Sequence, residues 1–293
     1  MDRDDYLADK FEEHRDHLKA VAYRMLGSVP EAEDAVQESW LRLHRADDDG
    51  IENLGGWLTT AVARVSLDML RARRARRDDP FEEARLPEPV VTRHEELDPE
   101  HETMLADSVG LALLVVLETL TPAERLAFVL HDMFSVPFSE ISTLVGRSPA
   151  ASRQLASRAR RRVRGSAPVP DPDLRRQREV VDAWLAAARD GRFEDLVALL
   201  DPDVVLRADT GGGIAPTIIR GAEQVARQAF ANAARALLAR PALVNGVAGF
   251  VVVRDGAPIS VAAFSVADGK VVELDILADP ERLANLDLSE LGV

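Results

Sequence analysis

Apolar positions recur every three to four residues through most of the first 164 positions and every second residue in several short runs near the end, so the chain changes from helical to mixed texture along its length. The first helical pattern ends near Leu26-Gly27, and Ser28-Val29-Pro30-Glu31 reads as a capping box opening a second helix. In that helix Ala32, Val36, Trp40 and Leu43 form the inward stripe, leaving Glu33, Asp34, Gln37 and Glu38 outside. A loop at Ala46 to Gly50 follows. Gly55-Gly56 then precedes a third helix, Trp57 to about Arg77, apolar at Trp57, Leu58, Ala61, Val62, Val65 and Leu70. Arginines crowd its C-terminal half, where they also suit the helix dipole.

Beyond an acidic, proline-bearing stretch, Thr121-Pro122-Ala123-Glu124 is another capping box. Phe138, Ile141, Leu144 and Val145 then mark a short helix, Gly146 supplies a left-handed turn, and Ser148-Pro149 an N-cap with proline at the first helical position. This predicts a helix-turn-helix. Its second helix turns Ser152, Leu155, Ala159 and Val163 inward, while Arg153, Gln154, Ser157, Arg158, Arg160, Arg161 and Arg164 occupy the rest. Arginine and glutamine make paired hydrogen bonds to guanine and adenine edges, and further arginines neutralise phosphates, so nucleic acid is the first partner to consider.

After Gly165 to Pro172 the pattern becomes two helices, Leu174 to Arg189 and Phe193 to Leu200, a strand at Val204 to Ala208, a glycine loop and a short strand near Thr217 to Ile219. A helix from Ala222 to Leu238 precedes three apolar segments: Ala242 to Val244 running on to Phe250 to Val253, Ile259 to Phe264, and Val271 to Ile276. Asp255-Gly256 and Asp268-Gly269 are hairpin turns. Helices followed by an antiparallel meander predict an α+β domain. The expected organisation is multidomain: two all-α modules at 4–77 and 103–164, linkers at 78–102 and 165–172, and an α+β domain at 173–293.

A net charge of -14 repels DNA at long range, but the cations are concentrated in Arg71 to Arg77 and Arg153 to Arg164. The absence of cysteine excludes disulfides, thiolate zinc sites and thiol chemistry. The acidic start lacks an apolar core, so it is neither secretory signal nor transit peptide, and Val109 to Leu117 is too short to span a bilayer. A cytoplasmic protein with no membrane partner and no cofactor is expected. His14 and His17 lie at i, i+3 without an evident third ligand, so no metal site is expected either. Trp40, Trp57 and Trp184 sit in apolar stripes as core anchors.

The order of these modules resembles the extracytoplasmic-function sigma factors of bacterial RNA polymerase, across roughly Tyr6 to Arg164. Glu33-Asp34-Ala35-Val36-Gln37-Glu38 is similar to the family's ED-x-x-QE helix, which implies that Asp34, Gln37 and Glu38 dock on the clamp of the polymerase largest subunit. The second-largest subunit's flap is implied as a further contact. Gly56-Trp57-Leu58 with Arg64, Asp68 and Arg71 resembles the helix that binds the promoter -10 element, and the loop before it corresponds to a base-capturing segment. The resemblance thereby implies -10 roles for Asp48, Asn53, Arg64, Arg71 and Arg74, and -35 roles for Arg147, Ser148, Arg153, Gln154, Ser157, Arg158 and Arg161. The acidic linker is implied to thread the polymerase cleft, where it mimics the charge of a transcript.

The last domain resembles the SnoaL-like fold, a cone-shaped α+β barrel, and the whole resembles the sigma-factor subgroup carrying it. Leu86-Pro87-Glu88-Pro89 is identical to the subgroup's LPEP, Asp209-Thr210-Gly211-Gly212-Gly213 is similar to its DGGG loop, and Asp279-Pro280-Glu281-Arg282-Leu283 to its NPDKL motif. The resemblance implies that Gly211 to Gly213 and Asp279 to Leu283 meet Leu86 to Pro89, making this domain an internal regulator in place of a separate anti-sigma factor. Two other readings stand beside it. SnoaL-like barrels also house isomerases and cyclases. Here all six histidines precede the barrel, leaving Asp209, Glu273 and Asp275 as the carboxylates for acid/base work, so no enzyme is expected. A one-component repressor with an effector-binding domain would use the helix-turn-helix but leave the first module unexplained.

Overall fold

The computed structural model describes residues 3–45, 53–76, 85–93, 110–166, 168, 170–212 and 216–292. It divides into two compact units, one of residues 1–78 with 116–166 and the other of 79–115 with 167–293. Residues 85–93 of the linker therefore belong to the same unit as the C-terminal domain.

In the first unit the opening helical pattern is two helices, α1 (Arg3–Glu12) and α2 (Arg15–Leu26), followed by α3 (Val29–Arg45) and α4 (Leu54–Arg76). Neither glycine nor proline marks the break at Glu13-His14, so periodicity alone does not reveal it. Leu18, Val21 and Met25 of α2, Ala32, Ala35 and Leu43 of α3, and Leu58, Val62 and Leu67 of α4 are buried as one helical core. Trp40 and Trp57 are only half-buried, so they are not the core anchors expected; Trp40 lies on the flank of α3, its ring 5.1 Å from that of Phe11. Helix α4 begins three residues earlier than its apolar pattern suggests. Asn53 Oδ1 accepts the Gly56 N–H at 3.0 Å as an N-cap, which places Gly55-Gly56 inside the first turn. At Ser28 the expected capping box is loose: its hydroxyl accepts from Glu31 N–H at 3.5 Å, while the Glu31 carboxylate pairs with Arg73.

The same unit holds the last three residues of α5 (Leu111–Glu118), with α6 (Pro122–Phe128), a π-helical turn (Val129–Met133), α7 (Phe138–Val145) and α8 (Pro149–Ser166). Thr121 and Glu124 form the reciprocal capping box in full, with bonds of 3.2 and 3.3 Å. Arg125 is 2% exposed and donates to the carbonyls of Leu117 at 2.9 Å and Met25 at 2.8 Å while pairing with Glu118 at 2.9 Å. Met25 lies in the last turn of α2, the negative end of the helix dipole, so this guanidinium ties the later helices to the first bundle. Phe134 adds an edge contact to the His17 ring and lies 4.7 Å beneath the Arg24 guanidinium.

The second unit is built on a seven-stranded sheet ordered β1-β4-β5-β6-β7-β2-β3. Its elements are β1 (Val91–Arg93), α9 (Leu174–Arg189), α10 (Phe193–Ala198), β2 (Leu200–Asp209), β3 (Thr217–Arg220), α11 (Ala222–Ala231), α12 (Ala233–Ala236), β4 (Ala239–Val244), β5 (Val247–Arg254), β6 (Ala257–Ala267), β7 (Lys270–Leu277) and α13 (Pro280–Leu283). Two expectations are corrected. The segment read as running from Ala242 to Val253 is a hairpin, β4 and β5, turned at Asn245-Gly246 with both φ positive, and the helix read from Ala222 to Leu238 is interrupted at Asn232. Three meander connections alternate antiparallel strands, and β7 then pairs in parallel with β2.

Helices α9 to α12 pack on one face of this sheet around Trp184, Phe264, Leu274, Leu206 and Val225. Trp184 and Phe250 both contact Phe264, with centroids 5.9 and 5.5 Å apart, so aromatic rings fill the centre of that layer. Strand alternation puts Glu273 and Asp275 on the opposite face, level with Ser265 and Ala263. Both are buried beside Arg207, which pairs with each of them, at 3.1 Å for Asp275. They therefore do not face the helix-covered layer in which an acid/base site would lie.

Replacing Arg125 by alanine strands Glu118 and two carbonyls in a buried position and is expected to cost about 3 kcal/mol, read from urea unfolding followed on the first unit. Burial raises the Asp275 carboxyl above its ordinary value, against the opposing pull of Arg207. The native state then holds a proton the unfolded chain has lost, so stability falls as pH rises from about 3.9 through the raised value. Asp275→Asn is expected to flatten that fall and raise the urea midpoint at neutral pH relative to the parent chain.

Candidate nucleic-acid interface and linker clasp

On α3, Asp34 and Gln37 are exposed, and Asp34 has no ion pair among the described residues, whereas Glu38 is half-buried and bonded to Arg42 at 3.0 Å. Neighbouring Glu33 pairs with Lys19 at 2.7 Å. The free part of this acidic face is thus Asp34-Gln37.

The arginine run of α4 splits by role. Arg73 donates to the Leu26 carbonyl at 3.0 Å and pairs with Glu31, holding α4 to α2 and α3. Arg64, Arg71 and Arg74 are exposed, with Arg71 resting on Asp68 at 3.5 Å. Asn53 is placed as the helix N-cap, and Asp48 lies outside the described residues.

In the helix-turn-helix, Gly146 takes φ +71, a conformation costly for any residue with a Cβ, and Ser148 Oγ caps α8 by accepting the Ala151 N–H at 3.2 Å. Arg147, Ser148, Arg153, Gln154, Ser157, Arg158 and Arg161 are all exposed. Arg160 instead bonds Asp132 at 2.6 Å, and Arg162 bonds the Thr119 carbonyl at 3.1 Å. A division into outward-reading and buttressing arginines was not visible in the sequence, because the buttresses' partners lie 28 and 43 residues away.

Asp209, fully buried at the end of β2, organises the second unit's contacts with 85–93. Its Oδ2 accepts from Leu86 N–H at 3.1 Å and Arg282 Nη1 at 2.8 Å, and its Oδ1 accepts from Gly211 N–H at 3.1 Å. Arg282 Nη2 donates in turn to the Leu86 carbonyl at 2.7 Å, so both backbone groups of Leu86 are held. Asp279 caps α13 through Glu281 N–H at 3.0 Å, which directs Arg282 back towards Asp209. Gly211 has φ +70, and a Cβ there would stand 2.3 Å from Asp279 Cγ. Leu86, Pro87, Pro89 and Leu283 are buried, while Glu88 is half-buried. The prolines bring no N–H needing a partner. Asn245 then brackets Val90, donating its N–H to the Val90 carbonyl at 2.7 Å and accepting from Val90 N–H at 3.1 Å. Beyond it β1 adds to β4, and Arg93 donates to the Glu290 carbonyl at 2.6 Å. Pro280 opens α13, Gly212 is exposed, and Gly213 lies outside the described residues.

The His17 ring is engaged by Thr59 at 3.2 Å and by Phe134, and no group of three or more His, Asp or Glu among the described residues is arranged to hold a metal ion. None of their helices is long and apolar enough to cross a membrane.

A helical module ending in an arginine-rich helix, a helix-turn-helix with an exposed basic face, and a sheet domain holding part of the linker define a multidomain transcription protein. Residues 11–76 match the model of Sigma-70 region 2, and residues 110–163 that of Sigma-70 region 4. The ECF RNA polymerase sigma factor SigJ of Mycobacterium tuberculosis is 40% identical over 301 residues, covering 96% of this chain and 94% of SigJ. SigI of the same organism is 33% identical over 301 residues, covering 100% and 99%. The crystal structure of M. tuberculosis SigJ superposes with a TM-score of 0.76 at 38% identity, over 96% of this chain and 99% of that one. This chain belongs to the ECF RNA polymerase sigma factors, and its C-terminal α+β domain is SnoaL-like.

Substituting Arg282 by alanine removes the donor that holds the Leu86 carbonyl and exposes the Asp209 charge. Limited proteolysis or hydrogen exchange of the full chain is expected to report at least about tenfold faster attack at residues 86–90, with Gly211→Ala having the same effect through Asp279.

Proposed function

We propose that this chain is an alternative sigma subunit working in the cytoplasm, with region 2 at 4–77 and region 4 at 103–164, and that its own C-terminal domain regulates it. The α3 face bearing Asp34, Gln37 and Glu38 docks on the clamp of the polymerase largest subunit, and region 4 meets the flap of the second-largest. Arg64, Arg71 and Arg74 contact the -10 element, while Arg147, Arg153, Gln154, Ser157, Arg158 and Arg161 read the -35 element. The observation that carries this reading is the sorting of the arginines: those of α8 on the expected reading side are exposed, Arg158 also reaching Glu124 at 3.6 Å, whereas Arg160 and Arg162 bond Asp132 and the Thr119 carbonyl.

The C-terminal domain acts as a regulator by gripping the linker and not as an enzyme, in place of a separate anti-sigma factor. What supports this is the satisfaction of both Leu86 backbone groups by Asp209 and Arg282, together with Glu273 and Asp275 lying on the sheet face away from α9 to α12. A linker bonded at Leu86 and Val90 and paired as a strand at Val91–Arg93 does not at the same time thread a polymerase cleft, so release of 86–93 precedes initiation.

Binding of the full chain to core RNA polymerase, measured for the parent and for the Asp34→Ala/Glu38→Ala double variant, tests the proposal. Tight binding weakened at least about tenfold by the double change is expected, and absence of binding by the parent contradicts it.

A further inference from the structure

Within the first unit one cavity of about 620 Å³ is lined by Arg71, Arg74 and Ala75 of α4, by Arg147 of the α7–α8 turn, by Leu155 and Arg158 of α8, and by residues 121–124. Four arginines from three elements thus line one space. The only carboxylate on its wall, Glu124, is itself engaged by Thr121 and by Arg158 and Arg162 at 3.6 and 3.8 Å. Arg74 and Arg147 have no ion pair among the described residues. Like charges gathered round a cleft repel one another unless an anion sits between them, and guanidinium forks fit phosphate oxygens two at a time. Ala75, Pro122, Ala123 and Leu155 supply an apolar portion of the wall, and the volume lies in the range of small-molecule sites.

We propose that this cleft binds a compact polyphosphate anion, inorganic or carried by a nucleoside, bridging the two helical modules. A duplex needs α8 free on both flanks to enter a major groove about 12 Å wide. With α4 and Arg158 lining the same cavity, DNA entry parts the walls, whereas a small polyanion holds them together. The bound anion thereby withdraws Arg71, Arg74, Arg147 and Arg158 from DNA. This competition rests on the promoter-reading roles proposed above; binding of the anion does not.

Calorimetric titration of the full chain with sodium tripolyphosphate, and separately with GTP, near physiological ionic strength tests the site. One bound anion per chain is expected, weakened at least about tenfold in Arg74→Gln/Arg147→Gln and unchanged in Arg227→Gln, an exposed arginine of α11 paired with Glu223. Circular dichroism of each variant checks that it remains folded. Tighter binding of GTP assigns the apolar wall to the nucleoside; equal binding assigns recognition to the phosphates alone. The proposal is overturned if neither compound binds at millimolar concentration, if the double variant binds as the parent does, or if Arg227→Gln loses as much. Displacement of a fluorescent DNA duplex by tripolyphosphate is expected in parallel. Duplex that stays bound while the site is saturated overturns the competition and the DNA roles of Arg147 and Arg158, not the anion site.

Discussion

A carboxylate shut away from water at the end of β2 sets the terms for the linker and the sheet domain alike. Asp209 is fully buried, and a buried charge persists only when its oxygens are met by donors. Here the donors come from three places: Arg282 on α13, Gly211 on the following loop, and the backbone of Leu86. Each is needed by the others. Arg282 satisfies Asp209 and the Leu86 carbonyl with the same guanidinium, and Gly211 approaches Asp279 as closely as only a residue without a side chain does. The linker is therefore bonded to the SnoaL-like domain over 86–93, through Leu86, then Asn245, then the strand β1.

The helical unit follows a related economy of charge. Its net function as a sigma factor calls for exposed cations, yet several arginines are engaged within the protein: Arg125 on Met25, Leu117 and Glu118, Arg73 on Leu26 and Glu31, Arg160 on Asp132. These fix the helices and the turn from which Arg147, Gln154 and Arg161 project. A basic run in a sequence is thus two populations, and only the contacts separate them.

Local signals in the sequence translated well into structure. Gly146-Arg147-Ser148-Pro149 and Thr121 to Glu124 carry their own capping chemistry within four residues, and Asp255-Gly256 and Asp268-Gly269 turn their hairpins with positive φ at both positions. Asn245-Gly246 holds an equally strong turn signal, masked in the pattern because apolar residues flank it on both sides without a polar break. What escaped was non-local. The break between α1 and α2 has no breaker residue, the strand at Val91–Arg93 exists only because β4 offers an edge, and the burial of Arg125 depends on a carbonyl 100 residues earlier. The motif likeness brings Leu86, Asp209 and Asp279 together, whereas the part played by Arg282 follows only from geometry.

In the proposed regulation the C-terminal domain holds the linker in the free chain and lets it go on the polymerase. Hydrogen exchange of residues 86–93 in the full chain, alone and then with core RNA polymerase, addresses it directly. Slow exchange in the free chain that becomes fast at Leu86 and Val90 on polymerase binding is the predicted result; protection unchanged in an assembled, transcribing complex would contradict it.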